Sequence, residues 1–178
     1  MRAIQITETG GPDVLRLAEP PDPEPGLGQL LVEVTAAGVN YIDTYYRSGA
    51  YPTALPFIPG AEGAGILVVS VRRAAGPGGR GGGGDPLHPD RRPGRRGPPV
   101  DPQRLSSAGS VFLTRPALAH YVVTREELTW RAAEVFDAIL DGSLRIIIGG
   151  RYPLAEASRA HQDLQGRRTT GKLLLLPG

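Results

Sequence analysis

A single biased segment, Arg72 to Arg104, interrupts this chain and limits what it can fold into. Its residues include nine glycines, seven prolines and eight arginines, and none of them is aromatic. Because the segment has too few apolar side chains to form a core, we predict irregular structure for residues 72–104. The compact parts of the protein must then come from residues 1–71 and 105–178.

The same segment carries the basic charge of the chain. Its eight arginines and three aspartates give +5, so the remaining residues carry −3 when the whole chain carries +2. Clustered arginines can neutralise nucleic-acid phosphates, and such binding would weaken steeply with salt. The segment lacks aromatic side chains on which bases could stack. We therefore expect no nucleic-acid partner and keep nucleic-acid binding as a minor alternative.

The absence of cysteine from the chain narrows the chemistry. It excludes disulfides, thiolate catalysis and cysteine-ligated zinc. The three histidines are scattered along the sequence, and we predict a packing or surface role for each rather than a metal site. No apolar run approaches the roughly 20 residues that span a bilayer. We predict a cytoplasmic protein with no membrane partner and no bound metal.

Short strands separated by turns are the predicted structure of the N-terminal part. Strands are predicted at 3–7, 15–19 and 29–37, between glycine- and proline-rich turns. In the third strand apolar residues recur at every second position. This pattern predicts a core face made of Leu30, Val32, Val34 and Ala36. Such spacing is typical of a small barrel or sandwich.

The C-terminal part combines helices and strands. A strand is predicted at 111–114, followed by a helix that begins after Thr124, with Glu127 as its capping-box partner, and ends at Gly142. A strand at 144–148, a helix at 154–165 and a strand at 172–176 follow. The predicted fold class is therefore α+β, mainly β with helices.

Motifs at both ends resemble one known family. The N-terminal ones are Gly10-Gly11-Pro12-Asp13-Val14-Leu15, Ala37-Gly38-Val39-Asn40-Tyr41-Ile42-Asp43-Thr44-Tyr45-Tyr46-Arg47-Ser48-Gly49 and Pro59-Gly60-Ala61-Glu62-Gly63-Ala64-Gly65. The C-terminal ones include Gly109 to Pro116, Thr124 to Leu128, Tyr152 to Ala157 and Arg167 to Lys172. Together they resemble the zinc-free quinone oxidoreductases, the zeta-crystallin-like branch of the medium-chain dehydrogenase/reductase superfamily. The resemblance covers roughly residues 1–66 and 98–177.

The resemblance implies a GroES-like barrel at 1–71, completed by residues 105–178, with a Rossmann domain between them. That middle domain is largely absent here. The glycines between Gly76 and Gly84 lie among prolines and arginines, not between a buried strand and a helix. One hypothesis is a shifted reading frame in GC-rich DNA, which the coding sequence would test.

The resemblance also implies a cofactor, a substrate and a site. The cofactor is NADPH, the substrate is a quinone or another small electrophilic carbonyl compound, and a homodimer is allowed. Asn40 and Tyr45 correspond to residues beside the nicotinamide, where an amide or a phenol can donate a hydrogen bond to a carbonyl that gains charge. Without the resemblance, Asn40 is better interpreted as a turn cap and Tyr45 as a packed ring.

The implied cofactor-binding residues lie in both halves of the chain. They are Tyr41, Tyr45, Phe112, Leu113, Thr114 and Arg168. The alternatives are that residues 112–114 form an ordinary buried strand and that Arg168 is a solvated turn residue. Zinc-containing relatives have a cysteine where this chain has Asn40, and a Gly-His-Glu where it has Gly60-Ala61-Glu62. The resemblance therefore implies a zinc-free site.

Two hypotheses for the function follow. The chain is either an NADPH:quinone oxidoreductase by descent or a non-catalytic GroES-like remnant. Holding the cofactor in place accounts for about 7–11 kcal/mol of barrier lowering in such reactions. Because the glycine-rich turn that anchors the pyrophosphate is missing from the sequence, we predict a truncated protein without measurable activity.

Overall fold

The structure is a computed structural model that describes residues 1–70, 100–114 and 116–178. These residues form two compact units. The first contains residues 1–70 and 147–178, and the second contains the described residues between 100 and 146. The predicted irregular segment, 72–104, lies mostly outside the described residues. Among the helices described, none has the length and apolar character needed to cross a membrane.

Six strands form two sheets in the first unit. Strands β1 (Ala3–Gln5) and β2 (Arg16–Ala18) pair with each other antiparallel. The other four strands are β3 (Leu30–Val39), β4 (Gly63–Ser70), β5 (Ile148–Pro153) and β6 (Lys172–Leu176). They lie in the order β4-β3-β6-β5, and only β5 and β6 run parallel. The last strand of the chain therefore completes a sheet begun by the N-terminal part.

The described residues also contain four α-helices. In the first unit α1 spans Tyr41–Ser48 and α4 spans Ala157–Gln165. In the second unit α2 spans Pro102–Ser107 and α3 spans Arg125–Leu140. Short 3-10 turns lie at Pro12–Val14, Leu118–His120 and Leu154–Glu156. The predicted mixture of strands and helices is confirmed.

The hydrophobic core of the first unit lies between α4 and the strands. The buried side chains that form it are Ile4, Ile6, Leu15, Val39, Tyr152, Ala157, Ala160, Leu173 and Leu175. The core residues that α4 contributes are alanines, so the helix backbone can approach the sheet closely. Residues from both ends of the chain thus share one core, and neither end could bury it alone.

The predicted core face of β3 is wrong over most of the strand. Leu30, Val32 and Val34 are 62%, 41% and 42% exposed, and burial begins only at Gly38 and Val39. The physical reason is the position of the core, which reaches β3 only at Val39, with Ala37 packed against it. Residues 37–39 are also the part of β3 that pairs with β6, whereas the earlier part pairs with β4 alone. Alternation in the sequence correctly predicted the strand, but no layer of described residues covers its first seven positions.

Three predicted boundaries in the C-terminal half also differ from the structure. Residues 111–114 are not a strand, and the side chain of Phe112 is fully exposed. The strand predicted at 144–148 begins at Ile148, because β6 supplies parallel partners only from that residue onward. The helix predicted from 154 begins with a 3-10 turn and becomes α-helical at Ala157.

The helix predicted after Thr124 is confirmed with its caps. Thr124 Oγ1 accepts a hydrogen bond from the Glu127 N–H at 3.1 Å, and the Glu127 carboxylate accepts one from the Thr124 N–H at 3.0 Å. Gly142 follows the helix with φ of 82°. The sequence prediction omitted α1 and α2. The first turn of α2 includes residues 102–104, which were predicted to be irregular.

Candidate functional site

Asn40 stands where β3 ends and α1 begins. It is the N-cap residue of α1, and its backbone N–H donates to Asp43 Oδ2 at 2.9 Å. The helix ends at Gly49, whose φ of 78° suits a residue without a Cβ. The alternative interpretation of Asn40 as a cap is therefore correct for its backbone. Its carboxamide makes a separate contact.

That contact is with Lys172, the first residue of β6. Lys172 Nζ donates to Asn40 Oδ1 at 2.8 Å, across 132 residues of sequence. The antiparallel register explains the meeting, since Val39 pairs with Leu173 and Gly38 with Leu174. The start of β6 is thereby placed beside the residue that follows β3. The Lys172 contact joins the two halves of the chain at the candidate site.

Glu62 completes the polar group around Asn40. Its carboxylate forms an ion pair with Lys172, and its backbone carbonyl accepts a hydrogen bond from the Gly38 N–H. The pair packs directly over Gly38. A Cβ on this glycine would lie 2.6 Å from both Glu62 Cδ and Lys172 Cε. A side chain at position 38 would therefore displace the ends of these two side chains from their place beside β3.

Asp43 is a buried carboxylate one turn into α1. Burial raises its pKa above the ordinary range, while the hydrogen bond from Asn40 and the positive charge of Lys172 act against that rise. The negative charge of Glu62 raises the pKa further. Asp43 and Glu62 are thus two carboxylates that share the field of one lysine.

Aromatic rings cover the outer surface of α1. The Tyr45 ring contacts those of Tyr41 and Tyr51, with centroids 5.6 and 5.3 Å away. Tyr46 continues the contact from Tyr51 to Phe57, whose backbone is paired with Ile6. Edge-to-face and tilted contacts of this kind restrain rings without covering them. Tyr45 is packed, as the alternative interpretation proposed, yet it stays 40% exposed.

The remaining predicted site residues are not part of α1. Arg168 follows α4, its side chain is 71% exposed, and its Nη1 donates to Asp163 Oδ1 at 3.4 Å. Phe112, Leu113 and Thr114 belong to the second compact unit, in the irregular stretch after α2. Of the predicted residues, Tyr41 and Tyr45 are in ring contact on α1 and Asn40 caps the same helix. Asn40 is joined by two residues that were not predicted for the site, Lys172 and Glu62.

Two polar side chains near the candidate site, those of Arg47 and His161, are buried. Arg47 is almost fully buried, and its Nη2 donates to Gln165 Oε1 at 2.8 Å. His161 is also buried and lines a cavity of about 30 Å³ together with Asp43. Burial, and secondarily the charge of Arg47, lowers the pKa of His161 to about 4. His161 is therefore neutral in the folded protein at ordinary pH.

The residues around Asn40 do not fit a zinc ion. The chain has no cysteine. Within residues 1–70, 100–114 and 116–178 no three side chains of the metal-binding types lie together. The ammonium of Lys172 occupies the space between Glu62 and Asn40, where a cation would compete with it. That the site contains no zinc remains a prediction, which elemental analysis of the purified protein would test.

A dinucleotide cradle is also lacking from the described residues. Such a cradle consists of a buried strand, a glycine-rich turn and a helix whose first amides face the pyrophosphate. Here β3 passes directly into α1 through Asn40, and the strand β4 leads into residues that the structure does not describe. Among the described residues of the first unit, the site therefore supplies the Asn40 amide and aromatic rings but no phosphate-binding turn.

Comparison with known proteins places these features in a family. The model of the family described as zinc-binding dehydrogenase matches residues 42–175. A quinone oxidoreductase of Pseudomonas aeruginosa is 51% identical over 73 residues, which are 41% of this chain and 22% of that protein. The mouse quinone oxidoreductase is 50% identical over 70 residues, which are 38% of this chain and 21% of that protein. The matches thus span about a fifth of the length of these curated relatives.

Solved structures show the same similarity to quinone oxidoreductases. A mycobacterial quinone oxidoreductase aligns with a TM-score of 0.77 and 29% identity, over 99% of this chain and 100% of that chain. The Escherichia coli quinone oxidoreductase, solved in complex with NADPH, aligns with a TM-score of 0.78 and 21% identity, over 99% of this chain and 100% of that chain. The resemblance to quinone oxidoreductases inferred from the sequence motifs is confirmed. NADPH is the cofactor found in structures of these relatives.

Proposed function

We infer that this chain, which belongs to the zinc-binding dehydrogenase family, carries the carbonyl-recognising wall of an NADPH-dependent quinone oxidoreductase and does not itself reduce quinones. The observation that supports the first part is the position of Asn40 at the N-cap of α1 and of Tyr45 within that helix. Both side chains can donate a hydrogen bond, and Asn40 is partly buried whereas Tyr45 is exposed.

A quinone oxygen gains negative charge as the ring is reduced. Donors aimed at that oxygen stabilise the charge, because they are already oriented when it develops. The Asn40 amide and the Tyr45 phenol supply such donors, and each hydrogen bond contributes about 0.5–1.5 kcal/mol. NADPH would supply the hydride when bound, and the protein orients the acceptor. A quinone or another small electrophilic carbonyl compound is therefore the proposed ligand.

The second part of the proposal rests on what would have to hold NADPH. In the described residues the site has no phosphate cradle, and Arg168 is hydrogen-bonded to Asp163. Without a main anchor for the cofactor, essentially all of the roughly 7–11 kcal/mol gained from positioning would be lost. We therefore propose a truncated quinone oxidoreductase that binds the acceptor but leaves it unreduced.

The direct test measures NADPH oxidation by the purified protein with duroquinone, a fully methylated quinone that resists addition of amines. We expect the uncatalysed rate. A rate well above it, lost in the double variant Tyr45→Phe with Arg168→Ala, would contradict the proposed inactivity. Binding of duroquinone is measured separately by nuclear magnetic resonance, without NADPH.

The alternative function is a non-catalytic GroES-like remnant that has lost ligand binding as well. The shared core of the two ends, with β6 paired to β3, is compatible with this alternative. The two proposals differ in one measurement. A folded protein whose Asn40 and Tyr45 resonances do not respond to duroquinone would favour the remnant.

The proposal also includes expectations for the ligand class, the cellular location and the oligomeric state. The ligand is a small molecule and neither nucleic acid nor a membrane, and the protein is cytoplasmic. A homodimer is compatible with the proposal. Each expectation follows from the family and from the sequence composition, and sedimentation analysis with and without nucleic acid would test the first and the last.

A further inference from the structure

The chain contains one asparagine and one lysine, and these two residues are hydrogen-bonded to each other. We propose that Lys172 is a positioning residue, which fixes the Asn40 carboxamide so that only its N–H donors face a ligand. This inference rests on the proposed function and specifies which chemical groups the site accepts.

The first step is the direction of the amide. An ammonium group has three donors and no acceptor, so the Asn40 atom that faces Lys172 must be the oxygen. The donating group, Nδ2, then points away from Lys172. Among the described residues, none accepts a hydrogen bond from it. The Lys172 contact therefore turns a side chain with both donors and an acceptor into one that presents donors only.

The second step is the position of the lysine itself. Glu62 pairs with the ammonium, and the ends of the two side chains lie over Gly38, in space that a Cβ at this position would otherwise take. Lys172 is also half-buried beside the buried carboxylate of Asp43, whose pKa it affects. Lys172 is thus restrained by an ion pair and by partial burial at the point where it donates to Asn40.

The third step is polarisation. An ammonium that donates to the oxygen of an amide draws electron density from the amide nitrogen. Hydrogen bonds in a chain also strengthen one another. The Nδ2 donors should then bind best to an oxygen that carries or gains negative charge. The site is expected to favour quinones and enones over alcohols and amines, because the oxygen or nitrogen of an alcohol or amine gains no negative charge in such a reaction.

The single asparagine permits a clean experiment. In protein labelled only at asparagine, the Cγ and Nδ2 resonances report one side chain. We expect Lys172→Met to move the Cγ resonance toward its value in a solvated amide, and Lys172→Arg to restore at least half of the change. Arg159→Met is the matched control, because that cation pairs with Glu156 on an exposed surface. It should leave the Asn40 resonances unchanged.

The ligand measurement separates this inference from the proposed function. Duroquinone should shift the Nδ2 protons of the wild type, and its dissociation constant should rise about five- to tenfold in Lys172→Met. Identical Cγ resonances in the wild type and Lys172→Met would overturn the positioning role. If Cγ changes as expected but no protein responds to duroquinone, the positioning role is supported and the proposed quinone binding is overturned.

Discussion

Arg47 in α1 donates from Nη2 to Gln165 Oε1 in α4 at 2.8 Å, so a helix of the N-terminal part is hydrogen-bonded to the last helix of the chain. Arg47 is buried, and the other two nitrogens of its guanidinium, Nε and Nη1, have no hydrogen-bond partner among the described residues. Burial lowers the pKa of the guanidinium. A buried charge with so few partners depends strongly on each one it has.

The first prediction concerns this hydrogen bond. Gln165→Leu removes an acceptor from the buried guanidinium of Arg47, and we expect a loss of about 1.5–3 kcal/mol in the free energy of unfolding of the first unit. Gln162→Leu makes the same chemical change on an exposed position of α4, and it should change stability by less than about 0.5 kcal/mol. Amide hydrogen exchange of Leu173 and Leu175 measures both. Equal effects of the two variants would contradict the assignment.

The second prediction is a pH dependence that arises from His161. Its pKa falls from 6.5 to about 4 on folding, chiefly because the ring is buried. A group whose folded pKa is lowered stabilises the protein above the unfolded pKa, and the stabilisation disappears as pH falls through the folded value. Between pH 6.5 and 4 the first unit should therefore lose on the order of 3 kcal/mol.

His161→Phe should remove this pH dependence, whereas His120→Phe, on an exposed residue of the second unit, should retain it. Asp43 acts in the opposite sense, since its raised pKa means that protonation at low pH relieves the cost of a buried charge. The comparison of variants isolates the histidine from this effect. A wild-type protein whose core amides exchange equally fast at pH 6.5 and at pH 4, after correction for intrinsic exchange, would refute the prediction.

The third prediction compares two glycines of β4. A Cβ on Gly65 would overlap the backbone of Glu33, with the carbonyl carbon only 2.8 Å away, whereas a Cβ on Gly63 would meet its nearest atoms at 3.5 Å. Gly65→Ala should therefore cost about 1–3 kcal/mol, because the paired strands must separate. Gly63→Ala should be neutral or stabilise by up to about 1 kcal/mol. Urea unfolding of the two variants provides the test, and the reverse order of stability would contradict the observed register.

Local structure was predicted from the sequence more accurately than the burial of side chains. The caps of α3 depend on residues three positions apart, and Thr124 and Glu127 were recognised for that reason. Burial of β3 depends on which residues pack against its face, and the core residues of α4 and β6 lie more than a hundred residues away in the sequence. The alternation of Leu30, Val32 and Val34 could not reveal that this core reaches only the end of β3.

Separation along the sequence also explains which residues of the candidate site were predicted and which were not. Asn40 and Tyr45 were identified because family motifs carry them in one short stretch. Lys172 lies within another such motif, but its role depends on the pairing of Val39 with Leu173. Helix α1 was omitted although Asn40, Asp43 and Gly49 are capping signals, because the stretch was interpreted through its motif and not through its caps.

The last prediction concerns the second compact unit, in which α3 has no buried residue. A helix without a packed face depends on its own caps and propensities, and the Thr124 capping box is its main local signal. Thr124→Ala removes the Oγ1 acceptor for the Glu127 N–H, so we expect a loss of about 1 kcal/mol in the local stability of the helix. Thr129 provides the matched control in the interior of the same helix, where its hydroxyl donates to the Arg125 carbonyl.

Thr129→Ala should stabilise α3 by a few tenths of a kcal/mol, since alanine has the higher helix propensity and the hydroxyl competes for a backbone acceptor. The same substitution is therefore expected to have opposite signs at two positions five residues apart. Amide exchange rates along Arg125–Leu140 in the two variants measure this directly. If Thr124→Ala left those rates unchanged, α3 would owe its stability to contacts beyond its caps, and the capping box would be incidental to it.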